Sequence, residues 1–132
     1  MRPDRMTTKS REAFQEGLAR ASRFGNPELQ PEHLLSAMLE QEGGVAGPLL
    51  QKAGADLTAL RAAVALKVAG LPRVTGGAEP TLGRRTLEVI RRAEDEAKQL
   101  KDEYVSVEHY LLAMTRHDRD MMGCLLYTSR CV

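Results

Sequence analysis

The residue types most able to do chemistry in this chain stand in two Glu-His pairs, Glu32-His33 and Glu108-His109. A carboxylate beside an imidazole is raw material for a metal site or for general acid–base work. The spacing speaks against a metal. Di-metal helical bundles use Glu-x-x-His, which sets both side chains on one helix face. Adjacent residues instead point about 100° apart, and neither an H-E-x-x-H motif nor a third ligand accompanies either pair. No motif supports a Ser or Cys nucleophile. Phosphate chemistry fares no better, because Gly76-Gly77 has no following Lys-Ser/Thr and no P-loop motif occurs. Cys124 and Cys131 both fall near the end of the chain and suggest neither a disulfide framework nor a metal site. A small free-standing enzyme is therefore disfavoured.

What remains is positional. Each pair stands at the start of a helix, where an imidazole can bond an exposed backbone group or pack between helices. A first-turn carboxylate complements the positive helix end, worth about 0.3–1 kcal/mol. Both carboxylates also stand where a cationic partner could dock.

The elements that carry the pairs are themselves repeated. Glu32-His33-Leu34-Leu35-Ser36-Ala37-Met38 returns as Glu108-His109-Tyr110-Leu111-Leu112-Ala113-Met114, an offset of 76 residues. The offset also carries Phe14 onto Ile90, Ala21 onto Ala97, Leu29 onto Val105 and Leu49-Leu50 onto Leu125-Leu126. Two copies of one helical unit account for this register. Repeat one is expected over residues 1–71, a Pro/Gly-rich linker over 72–80 and repeat two over 81–123.

Within repeat one, Thr7 caps a helix from Thr8 to Arg23 that buries Ser10, Phe14, Leu18 and Ala21, and Gly25-Asn26-Pro27 ends it. Pro31 opens a second helix with Leu34, Leu35, Met38 and Leu39 in its stripe. A third, short helix carries Leu49 and Leu50, and Asp56 caps a fourth. In repeat two a long stripe from Leu82 to Leu100 predicts a helix from near Thr81 to Lys101, with a solvated outer face of Glu–Arg and Glu–Lys pairs. Lys101–Val105 answers to the Gly25–Leu29 turn. Ser106 caps the helix of the second pair, which breaks near His117-Asp118, and one further short helix is expected after it.

Composition agrees with an all-α bundle. Aromatics make up 4% and Trp is absent, while 42% of residues are apolar, so the core must be Leu, Ala, Val and Met. Lys and Arg number 19 against 18 Asp and Glu, which leaves no excess for a nucleic-acid or anionic-membrane surface. No run approaches the ~20 apolar residues of a membrane span. Met1-Arg2-Pro3-Asp4-Arg5 lacks the apolar stretch of a signal peptide, and the expected location is cytoplasmic. Residues 124–132 break the pattern. Cys124-Leu125-Leu126-Tyr127-Thr128-Ser129 is what TGT CTC TTA TAC ACA TCT encodes, a string resembling the end of a transposase adaptor. The expectation is that the native sequence stops near Gly123 and that read-through follows.

Several phrases carry a family resemblance: Arg5-Met6-Thr7-Thr8-Lys9, Pro31-Glu32-His33-Leu34-Leu35, Gln41-Glu42-Gly43-Gly44, Pro48-Leu49-Leu50, Ala53-Gly54-Ala55, Leu71-Pro72-Arg73-Val74-x-Gly76 and Tyr104-Val105-Ser106-x-Glu108. Over about residues 1–122 the chain resembles the N-terminal domain of ClpB-type disaggregases. The resemblance implies two repeats in pseudo-twofold arrangement, about seven to eight helices in all. It also implies a mobile, non-catalytic appendage that engages unfolded or aggregated polypeptide. Such a domain belongs to a homohexameric Clp ATPase whose AAA+ domains bind ATP, and the whole protein would cooperate with a DnaK-type chaperone. No cofactor, nucleic acid or membrane is implied for the chain in hand.

By the same resemblance, substrate engagement falls on Thr7, Asp102 and Glu108. An apolar groove between the repeats would be the physical site, with Tyr104, Val105 and Ile90 expected to line it. Degradative relatives of the ClpC and ClpA type are similar but receive phosphoarginine on the Glu of both phrases, beside a Gly-Thr pair. Here Glu32 and Glu108 have Gln30-Pro31 and Ser106-Val107 in that place. Phosphoarginine or adaptor docking is the alternative reading.

Overall fold

Six stretches of this sequence combine an apolar stripe with start and stop residues, and each is a helix in the computed structural model, which describes residues 3–76 and 79–118. They are α1 (Thr8–Arg23), α2 (Pro31–Glu40), α3 (Ala46–Lys52), α4 (Leu57–Ala69), α5 (Arg84–Gln99) and α6 (Val107–His117), preceded by a 3-10 turn at Pro3–Arg5. Thr7 caps α1 by accepting from Ser10 N–H, and Asp56 caps α4 by accepting from Thr58 and Ala59 N–H. Those backbone N–H groups would otherwise lack partners within the helix. The short helix expected after Asp118, and the divergent tail, lie outside the described residues.

Repeat two differs from expectation at both ends of its long helix. α5 begins at Arg84 and not near Thr81, because Thr81–Leu82 forms a strand, β2, beside β1 (Glu28–Leu29). The pair is parallel, with Thr81 N–H donating to Pro27 O at 3.1 Å and Gly83 N–H to Leu29 O at 2.9 Å. The helix ends at Gln99, where Lys101 takes a left-handed φ of 60°.

The repeats interlock through this pairing. Leu29 and Leu82 are one bridge; Met6 and Val105 form another parallel bridge, and the repeat offset carries one onto the other with the partners exchanged. Thr7 N–H donates to Val105 O at 3.1 Å and Val105 N–H to Arg5 O at 2.7 Å. Two buried hydroxyls complete the match: Ser10 Oγ donates to Val105 O at 3.0 Å, and Thr86 Oγ1 to Leu29 O at 2.6 Å. Each repeat thus lends its leading segment to the turn of the other. A pseudo-twofold relation follows from hydrogen bonds alone.

One apolar core spans both repeats. Phe14 of α1 meets Tyr110 of α6 edge to face, with centroids 5.2 Å apart and planes at 71°. Such a pair adds about 0.5–1.5 kcal/mol beyond burial. Leu34, Leu35, Met38, Val89 and Met114 belong to the same buried core. The linker is stitched back onto repeat one, since Val74 N–H donates to Gly25 O and Asn26 Nδ2 to Pro72 O, both at 2.8 Å.

Candidate functional site

The two histidines are consumed by structure. His33 Nδ1 accepts from Gln30 N–H at 2.9 Å, so the ring proton lies on Nε2, which donates to Asn26 Oδ1 at 2.8 Å. Burial holds His33 neutral, with its pKa pushed down to about 4. His109 repeats the geometry: Nδ1 accepts from Ser106 N–H at 2.8 Å and Nε2 donates to Asp102 Oδ2 at 2.8 Å. An imidazole at the third helical position stands in for the Glu or Gln of a capping box. Neither ring keeps a free lone pair for a metal or a proton transfer.

The two glutamates part company. Glu32 is buried, with its side chain 5% exposed, and Arg85 of repeat two covers it. Arg85 Nη1 lies 3.1 Å from both Glu32 oxygens, while Nε and Nη2 reach Asp118 at 3.1 and 3.0 Å. Burial works against the charge of Arg85, but Asp118 and Glu32 outweigh it and its pKa lies above the usual range. Glu108, at the matching position of α6, is exposed and forms no ion pair among the described residues.

Glu108 lies instead on the wall of a groove of about 310 Å³ between α3 and α6. Its other lining residues are Leu49 and Leu50 from repeat one and Leu111, Leu112 and Thr115 from repeat two. Nearly all of the lining is apolar, and among the described residues the carboxylate is its one charged group.

The remaining expected site residues gather at the Met6–Val105 seam. Thr7 shares a backbone bond with Val105, Asp102 holds His109, and Tyr104 is 49% exposed beside them. Val105 and Ile90 do not line the α3–α6 groove. They are 6% and 4% exposed and belong to the core: Val105 is held by the parallel bridge to Met6, and Ile90 lies on the buried face of α5. Tyr104 also lies away from the groove lining. Sequence reasoning overlooked Leu49, Leu111 and Leu112 as groove residues and Arg85 as the partner of Glu32. Only the recurrence of Leu-Leu after each Glu-His pair hinted at the former.

The fold is an interlocked pair of helical repeats with an apolar cleft between them. The Clp repeat N-terminal domain family matches over residues 5–128, and the chain belongs to that family. Among curated relatives it is 45% identical over 116 residues to the chaperone protein ClpB of Corynebacterium diphtheriae, covering 86% of this chain and 14% of that protein. It is 40% identical over 120 residues to ClpB of Mycobacterium tuberculosis, covering 90% of this chain and 14% of the relative. The chain therefore spans about one-seventh of the length of these relatives. Among solved structures, the N-terminal domain of Hsp104 from Candida albicans superposes with a TM-score of 0.84 at 20% identity, over 94% of this chain and 81% of that one. The N-terminal domain of the ClpV1 ATPase from E. coli gives 0.84 at 22%, over 97% and 82%. At these identities the superpositions speak for the fold.

Proposed function

We propose that this domain is a non-catalytic, client-binding appendage of a ClpB-type ATPase of the cytoplasm. It captures unfolded or aggregated polypeptide weakly and passes it to the ATP-driven ring, with a DnaK-type chaperone as a partner of the whole protein. The α3–α6 groove carries this reading. It is apolar, open, and built from both repeats, with Leu49 41% exposed and no side chain of the described residues filling it. Burial of aliphatic surface is tolerant of sequence, which suits a binder of unfolded chains. Thr7, Asp102 and Tyr104 form a seam beside the first turn of α6, and in this reading they position Glu108 at the groove edge.

Titration with an unfolded casein, followed by methyl NMR, tests the reading. Shifts at Leu49, Leu111 and Leu112 are expected, and Leu49→Ser should weaken them while leaving stability within about 0.5 kcal/mol. No shifts at millimolar client would overturn it. Phosphoarginine docking on both glutamates is less well supported, since Arg85 already occupies Glu32.

A further inference from the structure

We propose that the groove bounded by α1, α2 and α4 docks an acidic amphipathic helix of a partner protein. This face shares no lining residue with the α3–α6 groove, so it stands apart from the client-binding reading.

α4 is apolar on two sides. Of its 13 residues only Thr58, Arg61 and Lys67 are polar. Leu60, Ala63, Val64 and Val68 are buried, which uses one side of the helix. Ala62, Ala65, Leu66 and Ala69 follow helical spacing on another side and are exposed, Leu66 by 64%. A surface helix ordinarily turns charge away from the core. Ala65 and Ala69 also wall a groove of about 270 Å³, together with Phe24 at the end of α1, Leu39 of α2, and Val64 and Val68. Phe24 is 43% exposed, so two large apolar side chains, Phe24 and Leu66, stand in water on either side of these alanines.

The chemistry of the face selects its occupant. Every lining residue belongs to a helix or its cap, and no unpaired strand edge is offered to an extended chain, which leaves helix-in-groove packing. The charge is positive. Arg20 and Arg61 line the groove against one carboxylate, Glu40, and Arg73 lies 6.0 Å over the Phe24 ring. Glu16, which pairs with Arg20, is already shared with Arg23. A second copy of the chain is the wrong partner, because a twofold contact would set this positive rim against itself. Residues 119–132 also have the wrong sign, with Arg119 and Arg130 against Asp120. An apolar stripe flanked by Glu or Asp satisfies both the leucine–phenylalanine surface and the arginines.

The test uses the 132-residue chain and two stapled helical peptides with Leu at i, i+3, i+4 and i+7, one flanked by Glu and one by Gln. Methyl shifts of Ala65 and Leu66 report binding. The Glu peptide is expected to bind roughly three- to tenfold tighter at low salt, the range of two or three exposed ion pairs, and added salt should shrink the difference. Arg61→Glu should remove most of that preference, and Leu66→Gln should weaken both peptides with the urea midpoint unchanged. Equal binding of the two peptides, or a preference untouched by Arg61→Glu and Arg73→Glu together, overturns the proposal. So does a Glu peptide interrupted by proline that binds as tightly, since no helix is then read. Shifts confined to Leu111 and Leu112 overturn it in favour of the α3–α6 groove and leave the client-binding reading intact. Sedimentation showing a dimer that Leu66→Gln dissolves overturns it in favour of a second copy.

Discussion

Asp102 accepts a 2.8 Å hydrogen bond from His109 Nε2, and Asn26 accepts one of the same length from His33 Nε2. The repeat offset carries both donor and acceptor onto their counterparts. Each imidazole ties the start of its helix to the turn seven residues earlier. Asp102 thus has a structural duty in addition to any role with clients.

The two duties separate by substitution. Asp102→Asn reproduces the repeat-one arrangement, keeps an acceptor for His109 and removes the charge, so stability should fall by no more than about 1 kcal/mol. Asp102→Ala leaves a buried ring N–H without a protein partner and should cost about 1–3 kcal/mol. Urea unfolding measures both. Client binding lost in the Asn variant would point to charge, and binding lost in the Ala variant alone would point to the cap.

Acid sensitivity should trace to His33. Its pKa in the fold is about 4 against an ordinary value of 6.5, because burial penalises the imidazolium. Between those values the unfolded chain binds a proton that the folded chain does not. Stability contributed by the neutral ring is therefore complete above pH 6.5 and is lost as pH falls towards 4, by roughly 3 kcal/mol in all. Unfolding free energies at pH 7, 6 and 5 should show this slope, and His33→Gln should flatten it. An unchanged slope in the variant would sink the assignment.

Much of this was legible in the sequence because helical stripes and caps are local. Thr7, Pro31, Asp56 and Ser106 mark helix starts by their own chemistry, and the observed helices begin beside each of them. Contacts across the repeats were not legible. Thr81-Leu82 continues the apolar stripe of α5, so nothing local shows that Leu29 will capture it as a strand. Val105 and Ile90 read equally well as groove or core until Met6 is seen pairing with Val105. Glu32 and Glu108 are alike in sequence, and only the fold brings Arg85 to the first and leaves the second without an ion pair among the described residues.

That arginine should matter for stability. Glu32 and Asp118 have side chains only 5% and 7% exposed, and Arg85 is their shared counter-ion at 32% exposure. Arg85→Ala would remove the guanidinium that both buried carboxylates share and leave Glu32 without its ion pair, at a cost of about 2–4 kcal/mol given the partial solvent access of the arginine. Adding Glu32→Gln to the Ala variant should recover part of that loss by removing one uncompensated charge. Denaturant midpoints for the single and double variants decide it. A double variant no better than the single would show that desolvated charge is not the cause.

Lys101 offers a stabilising change. α1 and α5 end in the same way: Asn26 N–H returns to Ala21 O at 2.9 Å, and Asp102 N–H to Ala97 O at 2.8 Å. This closure requires a left-handed residue just before it. Repeat one places Gly25 there with φ 70°, and repeat two places Lys101 with φ 60°. A side chain in that conformation costs roughly 1–2 kcal/mol, partly offset by the greater entropy glycine loses on folding. Lys101→Gly should therefore raise stability by up to about 1 kcal/mol, read as a higher urea midpoint at unchanged slope. The reverse exchange is not symmetric. A Cβ at Gly25 would lie 3.3 Å from Val74 O, where the linker docks, so Gly25→Lys should lose more than Lys101→Gly gains. Losses and gains of equal size would show that linker docking does not crowd the turn.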